Sequence, residues 1–237
     1  MKPAIILAGG FGTRLRSVVS DVPKPLAPVA GKPFLWWLLG ALESQGIREV
    51  HLCTGYKAEM VEKAFGDRFG EAALHYSVEH EPLGTGGAVL QAMRALKGVD
   101  SCYVLNGDTF AVADLVGLQH EADRTPEADA WLCGAPVADA SRYGTLQLDD
   151  RQRIVGFHAK GRQGPGVISA GIYLLRRQVL ERAELPRQFS IEQDFFEAHL
   201  PRLHLQVAAM ASDFIDIGVP EDYALAQSKI PALAGHP

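Results

Sequence analysis

The chain has 237 residues, of which 47% are hydrophobic and 22% charged, with a formal net charge of −5. That balance belongs to a globular protein and excludes a disordered one. It also argues against a general nucleic-acid binder, which needs a basic face. No run approaches the roughly 18 apolar residues of a membrane span, and the N-terminal apolar run is too short for a secretory signal. The three cysteines, Cys53, Cys102 and Cys133, each sit in an apolar run with no C-x-x-C pair. They read as buried small hydrophobes in a reducing compartment, with neither a disulfide nor a zinc site. The expectation is a cytoplasmic protein, monomer or homodimer, with no nucleic-acid or membrane partner.

The length fits one α/β domain spanning residues 1–237. Ala4–Leu7 reads as a strand that breaks into Gly9-Gly10-Phe11-Gly12-Thr13-Arg14. Phe34–Gln45 reads as a helix closed by Gly46, Glu49–Thr54 as a strand and Ala58–Phe65 as a helix. Within the first of these helices Trp36 and Trp37 are adjacent and cannot share a face, which leaves one for solvent or a dimer contact. Leu74–Val78 is a strand, Gly87–Leu96 a helix, and Ser101–Leu105 a strand running into Asn106-Gly107-Asp108. This alternation predicts parallel strands joined by crossover helices, with ligands at the carboxyl ends of the strands. The glycine turn and Asp108 both fall at such ends.

Beyond about residue 128 the pattern shifts to short strands separated by turns: Ala130–Pro136, Thr145–Leu148, Ile154–Phe157 and Gly171–Leu175. Ser190–His199 reads as a helix opened by a capping box of Ser190 and Gln193. Leu203–Ala209 is a strand, Phe214–Gly218 a turn, and Pro220–Lys229 a helix begun by proline, with a frayed tail from Pro231. This half reads as a hairpin extension of the sheet, placed to cover the crevice.

A glycine turn after a buried strand exposes backbone N–H groups that can approach phosphate oxygens closely. Arg14 adds a cation, and Lys24, held between Pro23 and Pro25, adds a second on a stiff loop. Together they suit a polyphosphate. The turn is not a G-x-G-x-x-G fingerprint, because Leu15 stands at the third glycine, and it lacks the Gly-Lys-Ser/Thr of a Walker A loop. Most of the eight histidines read as surface groups, with no paired metal-ligand spacing.

The segment AGGFGTRLRSVVSDVPKPLAPVAGKPF is followed in order by EPLGTGGAV, LNGDTF, SAGIYLL and FIDIGVP. Over essentially the whole chain this resembles the signature of the sugar-1-phosphate nucleotidyltransferases. LRSVVSDVPKP and SVEHEPLGTGGA are most similar to the branch that guanylylates D-glycero-α-D-manno-heptose 1-phosphate. The resemblance implies a Rossmann-like three-layer α/β/α fold of the GT-A-like kind, with a mainly parallel mixed sheet and a hairpin extension. It implies an enzyme in which a sugar 1-phosphate oxygen attacks the α-phosphorus of a nucleoside triphosphate and expels pyrophosphate, with Mg2+ as cofactor.

Carried onto this chain, the resemblance places Leu7, Ala8, Gly9, Gly10, Gly12, Thr13 and Gly107 around the nucleotide. Arg14 would hold the triphosphate. Lys24 would steady the incoming sugar phosphate or the α-phosphate. Asp108 and Asp216 would supply carboxylates to magnesium, which prefers one or two of them plus phosphates and water. The Glu79–Gly87 loop would lie beside the base, with Gly84 and Thr85 meeting base or ribose through the backbone. A carboxylate accepts both guanine N1–H and the 2-amino group, so Glu79 or Glu81 favours GTP over UTP or dTTP. Asn106, Tyr143, Gly144, Lys160, Ser169 and Gly171 would line the sugar. Many relatives carry Glu-Lys where this chain has Ala159-Lys160. Either another group such as His158 meets the sugar, or the specificity differs, the alternative being uridylyl, thymidylyl or guanylyl transfer to a hexose or N-acetylmuramate 1-phosphate. A non-catalytic nucleotide-sugar sensor is the other class, and the presence of Arg14, Lys24, Asp108 and Asp216 together argues against it.

Overall fold

The strand that opens the chain is buried on both faces. Ala4 and Ile6 face one apolar core and Ile5 faces another, as a central strand in a helix-covered parallel sheet must. The computed structural model describes residues 1–10, 15, 19 and 21–234.

In chain order the elements begin with β1 (Ala4–Leu7), a small hairpin of β2 (Pro28–Val29) and β3 (Lys32–Pro33), α1 (Phe34–Ser44), β4 (Glu49–Thr54), α2 (Ala58–Phe65), β5 (Arg68–Phe69), β6 (Ala72–Val78), α3 (Gly84–Ala95) and β7 (Ser101–Asn106). There follow β8 (Thr109–Val112), α4 (Leu115–Arg124), β9 (Ala130–Val137), β10 (Thr145–Leu148), β11 (Ile154–His158), β12 (Gly166–Arg176), α5 (Arg177–Arg182), β13 (Leu205–Met210), β14 (Asp213–Asp216) and α6 (Pro220–Ala234).

The first half of the chain forms the expected parallel sheet: β6, β4, β1 and β7 lie side by side and run the same way. Against β7 the chain then lays the antiparallel β12, which also pairs with β9 and β10. The β10–β11 hairpin extends that side of the sheet, and β13 runs parallel to β9. Apolar side chains of α1, α2, α4 and α6 cover one face. Those of α3 and α5, with Phe195 and Phe196, cover the other. The result is three layers, helix on sheet on helix.

Several elements depart from the sequence expectation for local reasons. The segment Phe214–Gly218, expected as a turn, is strand β14 as far as Asp216, paired antiparallel with β8 in a two-stranded ribbon apart from the main sheet. The expected helix at Ser190–His199 is a π-helix over Ile191–Glu197. Ser190 does cap it, accepting from the Gln193 N–H. The Ser190 N–H, however, donates to Asp194 instead of Gln193, at 2.6 Å, because the wider turn moves the reciprocal acceptor one residue on. Helix α6 continues through Pro231 to Ala234, past the point where fraying was expected. Two helices had no expectation. One is α4, capped by Asp114 accepting from Gly117 N at 2.8 Å; the other is the short α5. Trp37 is buried and donates to Val29 O, while the half-buried Trp36 packs edge-on against Trp37 and Phe69 under Lys32.

Candidate active site

A cleft of about 550 Å³ opens at the carboxyl ends of the parallel strands. Leu7, Ala8, Gly9 and Gly10 line it from the end of β1, and Asn106, Gly107 and Asp108 from the end of β7. Gly107 N donates to Leu7 O at 3.0 Å, and Ala8 N to Cys53 O at 2.8 Å, so neighbouring strand ends are stitched together as they leave the sheet. Gly9 packs closely on the loop after β6: a Cβ there would lie 2.5 Å from Glu79 Oε1, so that side chain would have to move aside, and 3.4 Å from Gly55 N. Gly10, in contrast, lines the cleft with nothing among the described residues within 4 Å of where its Cβ would stand. Gly12, Thr13 and Arg14, expected at this site, lie outside the described residues.

Across the cleft, Lys24 follows Pro23 and starts a single 3-10 turn with Pro25. Its side chain is about one-tenth exposed, and Nζ donates to Asp108 Oδ2 at 2.7 Å while standing 3.9 Å from Asp216 Oδ1. The ribbon explains this meeting. Asp216 is the register partner of Thr109, and Ile217 N donates to Asp108 O at 3.0 Å, so the two aspartates leave adjacent strands at one level. Gly218 N donates to Asp216 Oδ1 at 2.7 Å and aims that carboxylate. Two partly exposed carboxylates flanking one ammonium form an all-oxygen donor pair, which fits a hard divalent cation.

The loop after β6 separates the two acidic candidates. Glu79 lines the cleft half-buried, its Oε2 accepting from Leu83 N at 3.1 Å. Burial raises its carboxyl above the usual range, and the Leu83 hydrogen bond offsets part of that. Glu81 stands on the rim, two-thirds exposed, paired with Arg187 at 3.0 Å. The GTGG segment that opens α3 does structural work that sequence reading missed. Phe189 N donates to Leu83 O, Gly86 N to Phe189 O, and Ile191 N to Thr85 Oγ1. Main chain 187–191 thus clasps the start of α3 at a distance only glycine allows: a Cβ on Gly87 would lie 2.6 Å from Arg187 O. The clasp brings Gln188 into the cleft wall beside Gly84, Thr85, His80 and Tyr56. Nothing in the spacing of the sequence pointed to Gln188 or Tyr56.

Of the residues expected at the sugar, Asn106 lines the cleft, while Tyr143, Gly144, Lys160, Ser169 and Gly171 lie outside its lining. Gly171, with φ of 68°, sits at an irregularity in β12 packed so tightly on the Asn106 amide that any Cβ would collide with it. Ser169 Oγ accepts from Gly171 N and donates to the buried Tyr173 hydroxyl, which in turn donates to Glu192. Tyr143 packs edge-on against Phe214 of β14. The neighbouring Arg142 makes a two-toothed ion pair with Asp222 of α6. Gly144 lies close to the His158 backbone, where a Cβ would be 3.2 Å from His158 O. His158 and Lys160 are exposed at the end of the β10–β11 hairpin.

A nucleotidyl transferase family model matches residues 3–232. D-glycero-α-D-manno-heptose 1-phosphate guanylyltransferase of Aneurinibacillus thermoaerophilus is 43% identical over 229 residues, covering 96% of this chain and 97% of that one. The protein of the same description from Campylobacter jejuni subsp. jejuni serotype O:2 is 41% identical, covering 93% and 96%. The crystal structure of HddC from Yersinia pseudotuberculosis complexed with GMP-PN superimposes with a TM-score of 0.81 at 36% identity, over 97% of this chain and 99% of that chain.

Proposed function

The chain belongs to the nucleotidyl transferase family, and we propose that within it the enzyme takes GTP and D-glycero-α-D-manno-heptose 1-phosphate and makes the GDP-sugar and pyrophosphate. The observation that carries the reaction is the Asp108–Lys24–Asp216 cluster at the edge of a cleft lined by glycines. The activity of the two relatives that are 41–43% identical over nearly the full length supports the substrate pair.

Nucleotide transfer of this kind needs positioning and charge neutralisation more than covalent help from the protein. A sugar 1-phosphate oxygen forms the new bond to the α-phosphorus, and the bond to the pyrophosphate oxygen breaks. The backbone at Gly9 and Gly10 leaves room for phosphate oxygens. Lys24, fixed by its proline neighbours and by Asp108, presents its ammonium where negative charge from both substrates converges. Arg14 is assigned to the triphosphate from sequence. Asp108 and Asp216 would hold a divalent cation, Mg2+ by the hardness of their oxygens, and that ion would neutralise phosphate charge.

Of the two acidic candidates for the base, Glu79 is the better placed, because it lines the cleft while Glu81 is engaged with Arg187 on the rim. Its carboxylate has lone pairs beyond the one used by Leu83, enough to accept from guanine N1–H and N2–H together. Asn106, Ser169, Gly171 and Tyr143 are assigned to the sugar, and His158 substitutes for the glutamate absent at Ala159.

Pyrophosphate release with Mg2+, crossing GTP, UTP, dTTP, CTP and ATP with manno-heptose, mannose, glucose and N-acetylmuramate 1-phosphates, tests the proposal. Release with GTP and the manno-heptose phosphate is the expected result. Release in another combination overturns the substrate pair and keeps the class. Nucleotide binding without release in any combination points instead to a sensor.

A further inference from the structure

Outside the cleft lining, near the start of β4 and the middle of β6, three ligand-bearing side chains meet on one face of the sheet. Glu49 and His51 are two apart on β4 and so project to the same side. His75 is the direct register partner of His51 across to β6. The imidazoles lie with ring centres 4.6 Å apart, tilted by 32°. Glu49 Oε1 is 3.1 Å from His51 Nε2 and 3.9 Å from His75 Nε2. One ligand atom from each residue falls within 4.8 Å of the other two.

We propose that Glu49, His51 and His75 form a binding site for a divalent transition-metal ion of the zinc class. Two imidazoles and a carboxylate are a zinc ligand set that leaves the fourth position to water. Zinc bonds of about 2.0–2.2 Å in a tetrahedron hold ligand atoms roughly 3.3 Å apart. The Glu49–His51 pair, joined by a hydrogen bond of 3.1 Å, would need to open only slightly to reach that spacing. The remaining adjustment falls to His75, whose side chain is half exposed and free to rotate. His51 supplies the fixed anchor. Its side chain is 7% exposed, and its Nε2 is hydrogen-bonded to Glu49 Oε1, so that an ion binding there would take the place of the shared proton.

The charge environment agrees. Among the described residues, Glu49 has no lysine or arginine partner, and the neighbouring Arg48 is turned to Glu71 at 2.9 Å. Nitrogen ligands select zinc, copper or nickel over magnesium, so this site and the all-oxygen pair at Asp108 and Asp216 would not compete for one ion. A bound ion would tie β4 to β6, the strands that end at Thr54 and Val78 and lead into the Gly55 and Glu79 walls of the cleft.

The test is calorimetric titration of the untagged, chelator-stripped full chain with Zn2+ in excess Mg2+, paired with Co2+ absorption spectra. The expected result is a saturable one-site isotherm, a tetrahedral cobalt spectrum, and a higher thermal midpoint with metal. His75→Ala and Glu49→Gln, both at exposed positions, should each weaken binding by at least about tenfold and leave Mg2+-dependent pyrophosphate release unchanged. Absence of saturable binding overturns the proposal. So does binding that survives both substitutions, or that is lost in Asp108→Asn in their place.

Discussion

Gly86→Ala tests whether the glycines at the start of α3 serve the fold or the ligand. The added methyl would have three ring carbons of Phe189 within 2.7 Å. Ordinary carbon contacts begin at about 3.5 Å and the nearest ring carbon would lie 2.0 Å away, so the ring or the helix must give by roughly 1.5 Å. Phe189 is 2% exposed and has no vacant space to take. Overpacking of this kind costs about 1–3 kcal/mol. Replacing a helical glycine returns roughly 0.5–1 kcal/mol, which leaves a net loss of about 1–2 kcal/mol. For a chain of this size that lowers the thermal midpoint by about 2–8 °C. Gly40→Ala in α1 is the matched control: nothing lies within 4 Å of its Cβ, so only the helical gain remains and the midpoint should rise. Urea and thermal unfolding monitored by circular dichroism read both, with the KM for GTP measured alongside. Because the clasp also seats Gln188 in the cleft wall, Gly86→Ala should raise that KM as well as lower stability. A Gly86→Ala protein as stable as its parent, with weakened GTP binding alone, would refute the clasp and return Gly86 to the ligand.

Asp108→Asn should abolish turnover with the circular dichroism melt unchanged, since the side chain is partly exposed and its ladder contacts are made by the backbone; retained Mg2+-dependent activity would refute its role as a metal ligand. Lys24→Met should lower kcat by about 10²–10³-fold, the usual loss when a charge-stabilising donor is removed, and equal kcat in the variant would place the needed charge elsewhere. Glu79→Gln should raise the KM for GTP by about ten- to a hundredfold through loss of a charge-assisted hydrogen bond, with a smaller effect for UTP. The same variant carries a pH signature. Burial raises the Glu79 pKa above its usual 4.5, so its contribution to stability is complete below that value and is lost as pH rises through the higher folded-state pKa. Stability of Glu79→Gln, followed by urea unfolding from pH 4 to 8, should therefore fall less steeply than the parent's; parallel curves would contradict the assignment.

What the sequence made legible follows from how local each signal is. Strands β1, β4 and β10 and helix α2 carry their own patterning and are found with the expected bounds. The Gly46 stop after α1 is likewise a local left-handed cap. The meeting of Asp108 with Asp216 was expected only from the resemblance, because it depends on register in the β8–β14 ribbon, which spacing along the chain does not reveal. His51 and His75 escaped notice for the same reason: their proximity is a cross-strand register, with no motif spacing to betray it. Gln188 was invisible because its place is set by main-chain clasping of a glycine segment whose composition looked like a ligand loop.

The ribbon also bears on how the protein comes into being. Every described residue lining the nucleotide cleft has been made by Gln188, whereas Asp216 arrives on β14. The hairpin that follows Lys24 is held from α6, where Tyr223 Oη and Gln227 Nε2 both donate to Pro28 O. A growing chain therefore displays its cleft before it owns its second carboxylate or the brace behind its lysine. Folding of residues 213–230 back onto the start of the chain brings Asp216 to Asp108 and Lys24 and braces the hairpin that follows that lysine, so the carboxylate pair waits on a segment made after the cleft.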